Sequence, residues 1–229
     1  MGMSTADMAK DPPSEVRALG LALFGYFNPQ IFQPSWFVKN RILGDDELKG
    51  GGDILADTPG LVAFDFHDWL LEVSLERLLL YSSEAHKFPF VKDLATSALT
   101  LLRHTPVRGF ALNHTTHQSL GSAEVVENLL DNFVPRAPWQ RYGPQFGERR
   151  VVLGTARTDN LDGSIRIELS KSDEVDDGVY VGIIDEVTVA PEQEHPDGCA
   201  EVLQALESIW APSIARSDEV VQIVLGDYR

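Results

Sequence analysis

The chain has 229 residues, of which 43% are hydrophobic and 24% charged, and these proportions exclude a disordered chain, a collagen-like sequence and a membrane protein. Its 19 basic and 35 acidic residues give a net charge of −16, which argues against nucleic-acid binding because phosphate backbones require a positive surface. The single cysteine, Cys199, excludes an intramolecular disulfide and favours a cytoplasmic protein.

The start of the chain is predicted to be a flexible tail over residues 1–14, followed by a single domain over residues 15–229. The tail is polar and has no apolar stretch of the kind found in secretory signals. Bulky residues alternate with smaller ones over residues 18–27, and this period of two predicts the first strand of the domain.

The next segment is predicted to hold one short helix and a long loop. Ser35 is a suitable N-cap for a helix over residues 36–43, which Gly44 ends. A run of three glycines and a Pro-Gly pair favour a loop over residues 45–60.

A meander of three strands and a helix follow this loop. The strands are predicted over residues 61–67, 69–75 and 78–82. From Pro89 to Leu102, apolar residues recur every three or four positions, so we expect a helix that buries one face. A further strand is predicted over residues 107–113.

The second half of the chain repeats this succession of elements. Ser122 begins a predicted helix that ends at Pro135, and three alternating strands follow over residues 150–157, 164–170 and 179–189. Two final helices are predicted over residues 199–210 and 213–224, separated by Pro212 because proline interrupts helical hydrogen bonding.

The order of these elements predicts an α+β fold. Strands occur in meanders separated by helices rather than in strict β-α-β alternation, which favours a mainly antiparallel sheet, or sheets, with flanking helices. The order also allows two similar halves, each with three meandering strands and a flanking helix, although no residue-level repeat accompanies it.

Four residues could in principle supply the nitrogen and sulfur ligands of a zinc site. These candidates are His114, His117, His195 and Cys199. A strand places residues i and i+3 on opposite faces, so His114 and His117 could share an ion only if the chain turned near Thr115. The alternative is that they are ordinary core or loop histidines.

Cys199 could also act as a nucleophile beside a histidine. A helix beginning after Gly198 would lower the pKa of its thiol, but Asp197 and Glu201 are among the acids nearby that oppose a thiolate. A small buried side chain at a helix start is the favoured interpretation. The alternative function for this protein is therefore a metal-dependent or cysteine hydrolase that uses these four residues, whereas the favoured interpretation needs no cofactor and no catalytic residue.

Two segments are predicted to bind a partner. Trp139, Arg141 and Tyr142 combine aromatic and arginine side chains, which serve protein interfaces and nucleic-acid surfaces alike, and the net charge favours a protein. Residues 170–229 contain fourteen acidic and only three basic residues. This acidity is either ordinary surface charge or a docking face for a basic partner. The docking residues would be Asp173, Glu174, Asp176 and Asp177.

Three stretches of sequence support a resemblance. They are residues 69–74 leading into 94–102, the run LLRHTPVRGFALN at residues 101–113, and LLDNFVP at residues 129–135. In these stretches, and in its closing strands, the chain resembles an uncharacterised family of bacterial α+β proteins. The resemblance implies a bacterial cytoplasmic protein and brings no activity or site residues with it. We therefore expect a non-enzymatic accessory or regulatory subunit of a bacterial protein assembly, with no membrane contact.

Overall fold

A computed structural model of the protein describes residues 15–44, 48, 52–143, 149–190 and 198–228. The predicted tail over residues 1–14 and the candidate ligand His195 lie outside these ranges.

The described strands form one nine-stranded sheet in which every neighbouring pair is antiparallel. They are β1 (Glu15–Gly25), β2 (Asp53–Thr58), β3 (Leu61–Asp65), β4 (Leu70–Ser74), β5 (Arg77–Ser82), β6 (Val107–Ser119), β7 (Arg150–Ala156), β8 (Asp162–Lys171) and β9 (Gly178–Thr188). Their spatial order is β2-β3-β4-β5-β1-β6-β9-β8-β7. The predicted α+β fold with an antiparallel meandering sheet is confirmed.

Helices cover one face of this sheet. The fully described α-helices are α1 (Pro34–Lys39), α2 (Phe88–Leu101), α3 (Ala123–Phe133) and α4 (Ala200–Leu225). Their buried residues pack with Leu21 of β1, Phe110 of β6 and Ile183 of β9, which share one side of the pleat. No helix of the described ranges covers the opposite side, which we call the open face. None of these helices is both long and apolar enough to cross a membrane.

The two predicted halves are visible in the order of the elements. The first half runs β1, α1, β3, β4, β5, α2, and the second runs β6, α3, β7, β8, β9, α4. In each half the meander returns so that its last strand pairs with the first strand, and β1 and β6 then join the halves along eleven paired positions. Strand β2 covers the outer edge of β3, and no described strand lies beside the equivalent edge of β7.

Helix α4 crosses both halves without a break, so the predicted pair of helices separated by Pro212 is wrong. Its first part, with Val202 and Ile209, packs in the core of the first half, and its last part, with Val221, packs in the core of the second. Pro212 has no amide hydrogen to donate to the carbonyl of Ser208. Burial on both sides of that position outweighs the lost hydrogen bond.

Three other predictions differ from the structure. Residues 53–58, predicted as part of a loop, form the edge strand β2. Strand β6 continues to Ser119, past the predicted end at Asn113, because β1 and β9 pair with it along both sides. Helix α1 begins at Pro34 with Gln33 as its N-cap, so Ser35 lies inside the helix and does not cap it.

Candidate functional site

The four acidic residues predicted to bind a partner lie on one exposed loop between β8 and β9. We call residues 172–177 the acidic loop. The exposed side chains are those of Asp173, Glu174, Asp176 and Asp177, whereas Ser172 and Val175 are buried. The Ser172 hydroxyl oxygen accepts hydrogen bonds from the backbone N–H groups of Glu174, at 3.1 Å, and Val175, at 2.9 Å. The loop therefore holds its carboxylates outward on an ordered backbone.

His117 anchors this loop from the open face of the sheet. Its Nδ1 lies 2.8 Å from the Ser172 hydroxyl, and its ring packs against Tyr180 with 5.1 Å between the ring centroids. The side chain of His117 is buried, and an Asp173 carboxylate oxygen lies 3.9 Å from Nδ1. The end of β6 adds a second attachment, because the N–H of Leu120 donates to the carbonyl of Asp177 at 2.9 Å. His117 thus acts as a positioning residue for the acidic loop.

The carboxylates of the acidic loop make few ion pairs of their own. Across the described ranges, none of these carboxylates pairs with a lysine or an arginine, and Asp173 has an oxygen 3.9 Å from Nδ1 of His117. The Asp173 side chain is itself 90% exposed. The negative charge of Glu174 reaches Tyr81 of β5, on the open face. The pKa of Tyr81 is raised, mainly by burial of its ring and to a smaller extent by Glu174. Much of the loop's negative charge is therefore available to a molecule in solution.

The predicted aromatic and arginine residues lie on a short 3₁₀ helix, Ala137–Tyr142, which we call the aromatic turn. Trp139 is 49% and Tyr142 is 69% exposed. The guanidinium carbon of Arg141 lies 4.7 Å from the centroid of the Tyr142 ring, which is a cation–π contact. Trp139 and Tyr142 are therefore large side chains that belong to neither core.

Two arginines tie the aromatic turn to the start of β7. Arg136, just before the turn, and Arg149, just before β7, both bind the carboxylates of Glu127 and Asp131 on α3. The side chain of Arg149 is only 8% exposed. At the same end of the sheet, Arg150 at the start of β7 pairs with residue 170 near the end of β8, where the acidic loop begins. The aromatic turn follows α3 and the acidic loop follows β8, but both lie towards the same end of the sheet.

His114 and His117 lie on opposite faces of β6. The chain continues as a strand through Thr115, so the turn that a shared zinc ion would need is absent from this described segment. His114 faces the helices, and its Nε2 lies 2.9 Å from the hydroxyl of Ser213 on α4. Burial lowers the pKa of His114 to about 4, so its imidazole is neutral at pH 7. In the ranges that the structure describes, no cluster of three or more metal-ligating side chains occurs.

Cys199 lies at the start of α4 and its side chain points into the first core. Its Sγ donates a weak hydrogen bond to the carbonyl of Leu99 at 3.4 Å. Burial raises the pKa of this thiol, which keeps it protonated at neutral pH. Cys199 therefore occupies the place of a small buried side chain, and among the described residues its hydrogen bonds go to Leu99 and Arg103 rather than to His114 or His117.

A buried polar group that the sequence analysis missed separates the two cores beneath α4. We call it the polar seam, and its members are His114, Thr116, Asp185, Ser213 and Ser217, all buried. Asp185 is fully buried and binds the guanidinium groups of Arg157 and Arg216. Arg157 is 1% exposed and also binds Asp159. The burial of Asp185 could have been predicted from the sequence. Asp185 lies two residues from Ile183 and two from Val187, so it points to the same buried face of its strand as they do.

No family model matches the chain, and no curated protein gives a significant match.

Proposed function

We propose that this protein is a non-enzymatic accessory or regulatory subunit of a bacterial cytoplasmic assembly, and that it docks a protein partner with a basic surface. The observation that carries the proposal is the acidic loop. Four exposed carboxylates stand on six residues whose backbone is fixed by buried Ser172 and by His117.

A fixed backbone supports binding because it reduces the entropy that is lost when a partner docks. A mobile loop of the same charge would have to be ordered on association, at a free-energy cost that weakens binding. An ordered cluster of like charge also attracts an oppositely charged surface from a distance and orients it. The acidic loop combines both properties.

The aromatic turn supplies the second half of the proposed contact. Tryptophan, tyrosine and arginine dominate the energetically important positions of protein interfaces. Trp139, Arg141 and Tyr142 are exposed on a segment whose first residue, Arg136, binds Glu127 and Asp131 of α3. In this proposal the acidic loop provides electrostatic steering and the aromatic turn provides apolar contact area.

The test compares two variants that each remove three negative charges. The loop variant carries Asp173→Asn, Glu174→Gln and Asp176→Asn. The control variant carries Asp93→Asn, Glu201→Gln and Glu219→Gln, three exposed acids on α2 and α4. Wild-type protein and both variants are immobilised and used to capture proteins from a lysate of the source organism.

We expect one stoichiometric partner to be retained by the wild-type and control proteins and lost from the loop variant. The same partner should leave the wild-type protein at about 0.5 M salt, where exposed charges more than a few ångströms apart are screened. Equal retention by the loop variant and the wild-type protein would overturn the proposal, provided that circular dichroism shows the variant to be folded.

A further inference from the structure

A pocket of about 420 Å³ lies where β1 ends and β6 begins. One of its walls consists of residues from the segment 26–32, which follows β1, and the other consists of residues 101–106, which connect α2 to β6. All of its lining residues belong to the described ranges. A pocket of this volume can hold a small organic molecule.

Backbone hydrogen bonds hold the two walls in place. The N–H of Tyr26 donates to the carbonyl of Pro106 at 2.9 Å and so joins one wall to the other. The N–H of Cys199, just before α4, donates to the carbonyl of Arg103 at 3.3 Å and attaches the second wall to that helix. The pocket is therefore formed before a ligand binds, which lowers the entropy cost of binding.

Much of the pocket lining is apolar. Phe32 belongs to the core of the first half, and Ile31 and Leu102 pack against that core. Leu101 lines the same pocket, is 52% exposed and belongs to neither core. A ligand with an apolar body would remove this surface from water, and this removal favours binding.

The charge at the pocket is positive. Arg103 and His104 line it, and none of its lining residues is acidic. The Nε of Arg103 donates to Nε2 of His104 at 3.2 Å, and in the described ranges the guanidinium of Arg103 makes no ion pair with a carboxylate. Arg108 supplies a second guanidinium, whose carbon lies 5.9 Å from the centroid of the Tyr26 ring. The pocket thus combines positive charge with an apolar surface, on a chain whose net charge is −16.

We propose that this pocket binds a small organic carboxylate with an apolar body, such as a medium-chain fatty acid. The carboxylate accepts two parallel hydrogen bonds from the guanidinium of Arg103, whose planar shape matches the two carboxylate oxygens. The apolar body lies against Ile31 and Leu101. An amine of the same length would bring a positive charge against Arg103, and a carboxylate without the apolar body would leave the apolar lining in water.

This site is separate from the proposed docking surface. The pocket lies at the start of β6, whereas the N–H of Leu120, just after the end of β6, donates to the carbonyl of Asp177 in the acidic loop. Strand β6 has 13 residues. A strand of that length spans roughly 40 Å, so the acidic loop takes no part in the pocket.

The test measures binding to the full-length protein by isothermal titration calorimetry, with three probes of matched chemistry. Sodium octanoate has both the carboxylate and the apolar body, octylammonium chloride has the body with the opposite charge, and sodium acetate has the carboxylate alone. We expect saturable binding of octanoate at one site, and no saturable binding of the other two probes at the same concentrations. Equal affinity for octylammonium or for acetate would overturn the proposal, as would the absence of saturable octanoate binding.

Two variants locate the site. Arg103→Gln removes the guanidinium at an exposed position and should weaken octanoate binding about tenfold or more. Leu101→Asp places a carboxylate in the lining and should abolish binding. The matched control is Arg166→Gln, at an exposed arginine on β8, which should bind octanoate as the wild-type protein does.

The charge-neutralised loop variant should also bind octanoate normally, so failure of this inference and failure of the docking function are distinguishable. Unchanged octanoate affinity in both pocket variants would overturn the proposal. A loss of affinity in Arg166→Gln equal to that in Arg103→Gln would overturn it too, because the effect would then come from net charge and not from the pocket.

Discussion

Lowering the pH should destabilise the protein through His114, the one histidine of the polar seam. Burial under α4 lowers the pKa of its imidazole to about 4 in the folded state, against 6.5 for an ordinary histidine. The unfolded chain therefore binds a proton on His114 more tightly than the folded chain does. The resulting stability is fully present above pH 6.5 and is lost as the pH falls towards 4.

The size of the effect follows from this difference in pKa. Each pKa unit corresponds to about 1.4 kcal/mol, so the whole shift amounts to about 3 kcal/mol when the pH falls below 4. Between pH 7.5 and pH 5, where most carboxylates remain ionised, the loss attributable to His114 is about 2 kcal/mol.

The assay is urea unfolding at pH values from 7.5 to 5, followed by the fluorescence of buried Trp69 and Trp210. The wild-type protein is compared with His114→Gln, which keeps a polar group near Ser213 but cannot titrate in this range. The wild-type advantage in unfolding free energy should shrink by about 2 kcal/mol from pH 7.5 to pH 5.

The control is His86→Asn, which removes a histidine that lies outside the polar seam and whose side chain is 68% exposed. A difference between wild-type and His114→Gln proteins that stays constant with pH would refute the reasoning. A direct NMR titration of His114 with a midpoint near 6.5 would refute it as well.

Two further substitutions test the region around α4, both by urea unfolding at pH 7.5. Asp185→Asn removes the buried carboxylate that binds both Arg157 and Arg216, and leaves the Arg157 guanidinium paired only with the partly exposed Asp159, so it should lower the unfolding free energy by about 3 kcal/mol or more. Asp218→Asn, at an exposed pair with Arg17, should lower it by less than about 1 kcal/mol. Equal effects of Asp185→Asn and Asp218→Asn would contradict a structural role for the polar seam. Pro212→Ala should raise the unfolding free energy by about 1 to 3 kcal/mol, because alanine restores a backbone N–H donor inside one continuous helix. A decrease in the unfolding free energy would contradict a continuous α4.

The elements that could be predicted from sequence are those with one buried face. Strand β5 alternates buried Leu78 and Leu80 with less buried residues, and α2 repeats Val91, Leu94 and Ala98 at helical spacing, so the periodicity of the sequence identifies both elements. Strand β2 has no such pattern. Its side chains are mostly exposed on both faces, and its pairing with β3 is what makes it a strand.

The end of β6 and the middle of α4 could not be predicted for a related reason. Residues 114–119 are polar, and they extend the strand because β1 and β9 supply hydrogen bonds on both sides. Pro212 is a strong local signal for a break, and it is overridden by the burial of residues from both ends of the helix. In both places tertiary contacts, which lie far away in sequence, decide the local structure.

Some properties of the candidate site could be predicted from the sequence, and others depend on the fold. Acidity and exposure of residues 173–177 follow from composition, as does the exposure of the aromatic turn. The contact between His117 and Ser172 joins positions 55 residues apart in the chain, and it exists only because β6 and β9 are neighbours. Sequence analysis could therefore identify the charged surface but not the side chain that holds it in place.

The path of α4 has a consequence for how the protein is synthesised. The core of the first half contains Val202, Leu206 and Ile209, which lie on α4 and follow both halves of the sheet in the sequence. A growing chain that has already formed β1 to β5 and α2 still exposes the apolar surface that these residues cover. The core of the first half therefore stays incompletely covered until α4 has been synthesised, and during that interval its exposed apolar surface can bind chaperones.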